Sequence, residues 1–295
     1  MLRDPPDDRD VDALLAFGVV NLDKPPGPSA HQVAAWVRDA TEQDRVAHGG
    51  TLDPKVTGCL PTLLGDATRM ARVFDDAVKE YVAVLELHES APPDFDGIVA
   101  QFEGKVYQKP PRKSAVKRQL RSRRIHRLDV LERGDHRALL RVRCASGTYI
   151  RKLCHDIGLA LGTGAHMGDL RRTATGTFDD ASLVSMHDLV DALAFADEGE
   201  ESALRELVQP AERALTHLPR ARIADSAARA VGDGAPVYAP GVIDTAPALT
   251  GDAAPTAGEL LACFTADGSA VCLGTLVGDP DADSGTVVEL ERVLV

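Results

Sequence analysis

The sequence predicts an α+β chain: strands and helices interleave up to residue 218, and a small β-barrel follows from Pro219 to Val295. Three observations lead there. Short runs of branched and apolar residues alternate with segments of helical spacing over the first two thirds of the chain. After Pro219 the apolar runs become short and are separated by Gly and Pro turns, the pattern of a small barrel. A length of 295 residues accommodates one large domain and a small one.

Residues 1–16 open with Asp4-Pro5-Pro6-Asp7-Asp8, then Asp10 and Asp12, and read as an acidic, flexible tail. Val19-Val20-Asn21-Leu22 is a short strand. Asp23 to Pro28 turns the chain, and Ser29 caps a helix from Ala30 to Thr41. Helical spacing puts Val33, Trp36, Val37 and Ala40 on its apolar face, so Trp36 is expected in the core. Asp66 is expected to cap another helix, with Met70, Val73, Phe74 and Ala77 inside. Lys79 to Leu87 has the branched, apolar content of a strand. In Ala138 to Ala145, Leu140, Val142 and Cys144 alternate with Leu139, Arg141 and Arg143, which predicts a half-buried strand. Ser146-Gly147-Thr148 then turns into a helix with Ile150, Leu153, Cys154, Ile157 and Leu161 on its apolar side and Arg151 off it. Met186 to about Val208 reads as an acidic pair of covering helices. Strands are expected near residues 221–224, 258–264, 270–274 and 287–293, with a polar loop at 244–257.

The net charge is −12 and the isoelectric point about 5.2. A nucleic-acid partner needs Lys and Arg against its phosphates, so the basic residues of such a chain have to be gathered locally. They are. Gly104 to Leu128 holds Lys105, Lys109, Arg112, Lys113, Lys117, Arg118, Arg121, Arg123, Arg124 and Arg127 and no acid. Pro110 and Pro111 keep its first part out of a helix. Such a window in an acidic chain reads as an arm that tracks phosphates, against the plainer reading of a solvated loop. The acid excess elsewhere reads as a solvated surface, of the kind a salt-loving source would give.

Five cysteines without a C-x-x-C pair fit a reducing cytosol and free, buried thiols. Cys154-His155 lacks a second ligand pair at zinc spacing, so no metal is expected. Gly162-Thr163-Gly164 has neither a preceding strand nor a following Gly-Lys-Ser/Thr, so no nucleotide cofactor is expected. No run reaches membrane-span length and no signal segment opens the chain, which predicts a cytoplasmic protein.

One stretch stands apart. In Ala47-His48-Gly49-Gly50-Thr51-Leu52-Asp53-Pro54-Lys55 the glycines permit tight backbone, and Pro54 pushes Asp53 out of the helical region. Alone, this is an Asx turn with one outward carboxylate. The full run GGTLDPKVTGCLP, however, resembles the catalytic motif of the pseudouridine synthases that include bacterial tRNA pseudouridine-55 synthase and archaeal and eukaryotic dyskerin. One departure is Ala47, where that family usually has glycine. GVVNLDKPPGPSAH, KEYVA, CASGTYIRKL and LRRT resemble the family's further motifs, and residues 225–242 resemble the start of a PUA domain, an RNA-binding barrel.

The resemblance implies a pseudouridine-synthase fold: a large mixed, mainly antiparallel sheet flanked by helices, over residues 17–218, with a PUA barrel at 219–295. It implies Asp53 as the catalytic residue, Tyr81 stacking on the uracil, Arg151 pairing with the aspartate, and Leu170 lining the base pocket. Lys24 stays structural. For RNA contact it implies His48 and, on the arm, Lys109, Arg112, Lys113, Lys117, Arg118 and Arg121. An always-charged, planar guanidinium would keep Asp53 ionised against desolvation. The implied reaction breaks the uracil N1–C1′ bond, turns the base and forms C5–C1′, with Asp53 either attacking covalently or removing a sugar proton. The arm and tail resemble the archaeal dyskerin-like branch, which acts inside box H/ACA ribonucleoproteins. This implies a guide RNA, ribosomal RNA, and three small protein partners: a zinc-ribbon-like nucleolar protein, a core protein named for Gly/Arg richness, and a kink-turn-binding ribosomal protein. A guide-free tRNA enzyme shares every catalytic residue, and a non-catalytic RNA-binding scaffold is a third possibility.

Overall fold

The computed structural model describes residues 2–110, 119–249 and 253–295. Ten strands build one sheet: β1 (Gly18–Lys24), β2 (Val46–His48), β3 (Thr57–Leu64), β4 (Lys79–Leu87), β5 (Gly104–Gln108), β6 (Arg121–Arg133), β7 (Arg137–Cys144), β8 (Ala165–Thr175), β9 (Phe178–Asp179) and β10 (Gln209–Pro210). Their order is β10-β1-β3-β8-β4-β7-β6-β5, with β2 on β3 and β9 on β8. All pairs are antiparallel except β3 with β8. The sheet is therefore mixed and mainly antiparallel, and its centre, β3-β8-β4, is where the chain crosses over.

The helices are α1 (Val11–Ala16), α2 (Ala30–Ala40), α3 (Phe95–Ala100), α4 (Ile150–Leu161), α5 (Met186–Asp197), α6 (Ser202–Leu207) and α7 (Asp225–Gly232). Ser29 caps α2 in a reciprocal box with Gln32, which satisfies two otherwise unpaired N–H groups. The face α2 buries is Ala30, Val33, Ala34 and Val37. Trp36 is 47% exposed, against the expectation of a core position. One residue from Val37 is a turn of about 100°, enough to carry the indole to the flank. On α4 the expected apolar side, Ile150, Leu153, Cys154, Ile157 and Leu161, is buried.

Asp66 does not cap an α-helix. The segment Gly65–Phe74 is a 3-10 helix with Leu64 before it, and Asp66 instead accepts ion pairs from Arg3, Arg45 and Arg69. Nor is the acidic beginning a loose tail. Asp10 caps α1, and Arg9, 2% exposed, pairs through both terminal nitrogens with Glu212 at 2.8 and 2.7 Å. Ser269 donates to the Arg3 and Asp4 carbonyls. Apolar Val11 and Leu14 and the buried Arg9 outweigh the proline-and-acid composition that suggested mobility.

A second, six-stranded sheet holds β11 (Arg220–Ile223), β12 (Val237–Tyr238), β13 (Val242–Ala246), β14 (Leu260–Phe264), β15 (Ala270–Leu276) and β16 (Thr286–Val293) in the order β12-β16-β15-β14-β11-β13. Strand β13 takes up the first part of the expected polar loop. The two sheets share a core: Phe17, Cys59, Leu63 and Phe178 from one side meet Ala262, Leu273 and Leu294 from the other. All five cysteines are free and buried. Among the described residues no helix is long and apolar enough to cross a membrane.

Candidate active site

The loop from β2 to β3 carries Asp53, and its backbone is held from below. Leu52 and Val56, on either side, are buried in the main core. Gly49 donates to the Pro61 carbonyl at 2.7 Å, and Val56 donates to the Asp53 carbonyl at 3.0 Å. Lys24, fully buried at the end of β1, donates from Nζ to the carbonyls of Pro25, Pro54 and Val56. Burial lowers its pKa, while three acceptors satisfy the ammonium. Gly58 has φ +96°, and a Cβ there would stand 2.2 Å from the Arg172 carbonyl, so only glycine lets β3 approach β8.

With its neighbours buried, Asp53 points outward, its side chain about half exposed and ion-paired with Arg151. Arg151 comes from the first turn of α4. Gln108, buried at the end of β5, exchanges hydrogen bonds with Tyr149 just before that turn, at 3.2 and 2.9 Å. The basic hairpin is thereby tied to the helix that presents Arg151.

Tyr81 on β4 lies opposite Arg172 on β8, and Ala83 lies opposite Leu170. Register therefore puts Tyr81, Leu170 and Arg172 on one face. Tyr81 is half-buried; desolvation raises its phenol pKa and the Arg172 charge opposes the rise. Leu170 is buried. His48, on β2 before the loop, meets His31 edge-on with centroids 4.8 Å apart. Burial drives its pKa down to about 4, and the positive charge of Arg172 adds to that, so the ring is neutral at pH 7.

The fold thus joins Asp53 to Arg151 and sets Tyr81 beside Leu170. Lys109 is exposed just past β5, and Arg121 opens β6 opposite Gln108. Arg112, Lys113, Lys117 and Arg118 lie outside the described residues.

Sequence reasoning passed over Arg172. It is 1% exposed, its Nε donates to the Cys59 carbonyl at 2.7 Å, and another nitrogen donates to the Gly50 carbonyl at 3.1 Å. It therefore links the aspartate loop, β3 and the Tyr81 face. Strand alternation offered the only sequence signal, and it cannot tell a buried arginine from an exposed one. Arg172→Met is expected to cost about 2–4 kcal/mol by taking the donor from the buried Cys59 carbonyl and the part-buried Gly50 carbonyl. Chemical denaturation at fixed salt measures this; a loss under 1 kcal/mol would show that the loop is held without it.

A mainly antiparallel sheet presents the outward Asp53–Arg151 pair and, on β4, the half-buried Tyr81; relatives and profiles place such a chain among the pseudouridine synthases. A profile described as TruB family pseudouridylate synthase (N terminal domain) matches residues 38–94. One described as tRNA pseudouridylate synthase B C-terminal domain matches 151–216, and a DKCLD (NUC011) domain matches 4–34. A Haloarcula marismortui protein named "Probable tRNA pseudouridine synthase B" is 78% identical over all of this chain and 94% of its own length. The Halobacterium salinarum protein of the same name is 61% identical over all of this chain and 99% of its own. The chain belongs to the TruB family of pseudouridylate synthases. Among solved structures, it is similar to a chain in the crystal structure of a Cbf5-Nop10-Gar1 complex, with TM-score 0.92, 42% identity, all of this chain and 90% of that one covered. An H/ACA RNP bound to a substrate RNA containing 2′-deoxyuridine gives TM-score 0.91 at 40% identity, with the same coverage.

Proposed function

We propose that the chain converts uridine to pseudouridine in RNA as the guide-directed catalytic subunit of an archaeal box H/ACA ribonucleoprotein. The observation that carries this is the outward Asp53–Arg151 pair on a loop braced by Lys24 and Arg172. Asp53 is the catalytic carboxylate and Arg151 holds it ionised. Tyr81 stacks on the extruded uracil and Leu170 walls its pocket, a contact worth about 1–3 kcal/mol. His48, Lys109, Arg112, Lys113, Lys117, Arg118 and Arg121 contact RNA. The reaction is an isomerisation: N1–C1′ breaks, C5–C1′ forms, C5 loses its proton and N1 gains one.

Residues 17–218 form the synthase domain and residues 219–295 a PUA-type RNA-binding domain, the latter supported by the six-stranded second sheet. The partners are guide RNA, ribosomal RNA and small core proteins. Proteins like Nop10 and Gar1 are supported by likeness to the complexes that contain them, and a kink-turn-binding ribosomal protein by the family resemblance. The site of work is the cytoplasm. A second reading, a guide-free enzyme on tRNA, is favoured by the names of the relatives.

Incubation with tRNA alone, and with core proteins, guide RNA and an rRNA fragment, separates them. Pseudouridine formed on rRNA only when guide and partners are present is the expected result. Conversion of tRNA alone, with rRNA untouched in the full mixture, would overturn the guide-directed reading.

A further inference from the structure

Strand β4 carries Tyr81 near its beginning and leads on to His88 just past its end. At about 3.4 Å per residue the two stand roughly 20 Å apart. Leu85 and Leu87 point into the main core, so alternation turns Glu86 and His88 to the other face of the sheet. Register sets Glu86 directly opposite His166 on β8, which brings a second imidazole onto that face. There the rings meet: His88 Nε2 stands 3.1 Å from His166 Nδ1, with ring centroids 5.3 Å apart. The turn before β8 seats the His88 ring. Its backbone N–H donates to the Gly164 carbonyl at 3.1 Å, and a Cβ at Gly164, where φ is +65°, would fall 2.9 Å from its Nδ1. Glycine leaves the ring that place.

Both rings are exposed, and among the described residues neither makes another side-chain hydrogen bond. A hydrogen bond between two neutral, solvent-facing imidazoles competes with water and contributes little. A shared metal ion would use the lone pairs of both. Imidazole nitrogens bind Zn²⁺ at about 2.0–2.1 Å, and two such bonds to nitrogens 3.1 Å apart enclose about 100°, between the octahedral and tetrahedral angles. Both rings must then be neutral, with their protons on His88 Nδ1 and His166 Nε2. Glu86 adds a carboxylate to the same face, leaning towards Gly168, and Arg137 is its partner on the β7 side. Among the described residues no three His, Cys, Asp or Glu side chains converge to hold an ion, so water takes the remaining positions. All five cysteines are buried and do not compete.

We infer that His88 and His166 bind one divalent transition-metal ion, of the Zn²⁺ or Cu²⁺ class, which clips the end of β4 to the start of β8. Imidazole suits both ions, and Cu²⁺ binds the tighter. The clip joins the two strands that carry Tyr81 and Leu170. Its distance from Tyr81 keeps it out of the reaction, so the inference goes beyond the proposed function and does not depend on it.

The full chain, stripped with a chelator and held near pH 8, is titrated with Zn²⁺ by calorimetry beside its His88→Gln and His166→Gln variants. The wild type should show one saturable site, and each variant should weaken it by at least about tenfold, since even an outer partner of a ligand is worth that much. One equivalent of Cu²⁺ gives a second readout. Its electron paramagnetic resonance spectrum should carry splittings from two ring nitrogens in the wild type and from one in either variant. Both histidines are exposed, so the variants should fold, and circular dichroism checks this. Zn²⁺ affinity unchanged in both variants would overturn the inference. So would a wild type without a saturable site, or a Cu²⁺ spectrum that neither substitution alters.

Discussion

Asp53→Asn is expected to lower pseudouridine formation by about 10⁴-fold or more, the range found when a group that does the chemistry is removed. The fold should survive. The side chain is about half exposed and, among the described residues, bonds only Arg151, while the loop is held through backbone groups by Lys24, Gly49 and Arg172. The amide keeps the size and loses the charge, so RNA binding should persist while turnover disappears. Single-turnover conversion, read as pseudouridine by nucleoside chromatography, tests this. Wild-type rates with a folded Asp53→Asn protein would remove the aspartate from the chemistry, and with it the proposed site.

The second large effect is on stability. Glu212→Gln should cost about 3–5 kcal/mol, because it leaves the Arg9 guanidinium buried without its counter-charge. The pair sits where three parts of the chain meet. Arg9 comes from the first residues, Glu212 from the end of the synthase sheet, and the Ala270 amide of β15 donates to the same carboxylate at 3.0 Å. A double variant, Arg9→Met with Glu212→Leu, should recover most of the loss, since well-packed apolar groups of similar volume often replace a buried pair at little cost. Denaturant midpoints at constant salt measure both. A loss below 1 kcal/mol in the single variant would mean that water reaches the arginine.

The two expectations differ in how legible their residues are. Asp53 stands in a run of thirteen matching positions, and its loop is dictated locally by glycines and a proline. Glu212 and Arg9 are separated by about two hundred residues, and each alone reads as an ordinary surface charge. Trp36 and Asp66 show the same limit at short range. Helical spacing marks a face without locating its centre, and a good capping residue is used only where a helix begins. The acidic opening looked mobile because composition is blind to a single buried anchor.

The sequence by itself determined the local matters: the strands and helices whose periods are clean, the capping box at Ser29, the aspartate loop, the turn into α4 and the local concentration of positive charge in an acidic chain. Each depends on residues within a few positions of one another. The tertiary structure alone decided what those pieces face. It set Arg172 beneath the loop, His88 against His166, Arg9 into Glu212 and the second sheet onto the core of the first. Such contacts depend on strand order and register, and period and composition do not encode these.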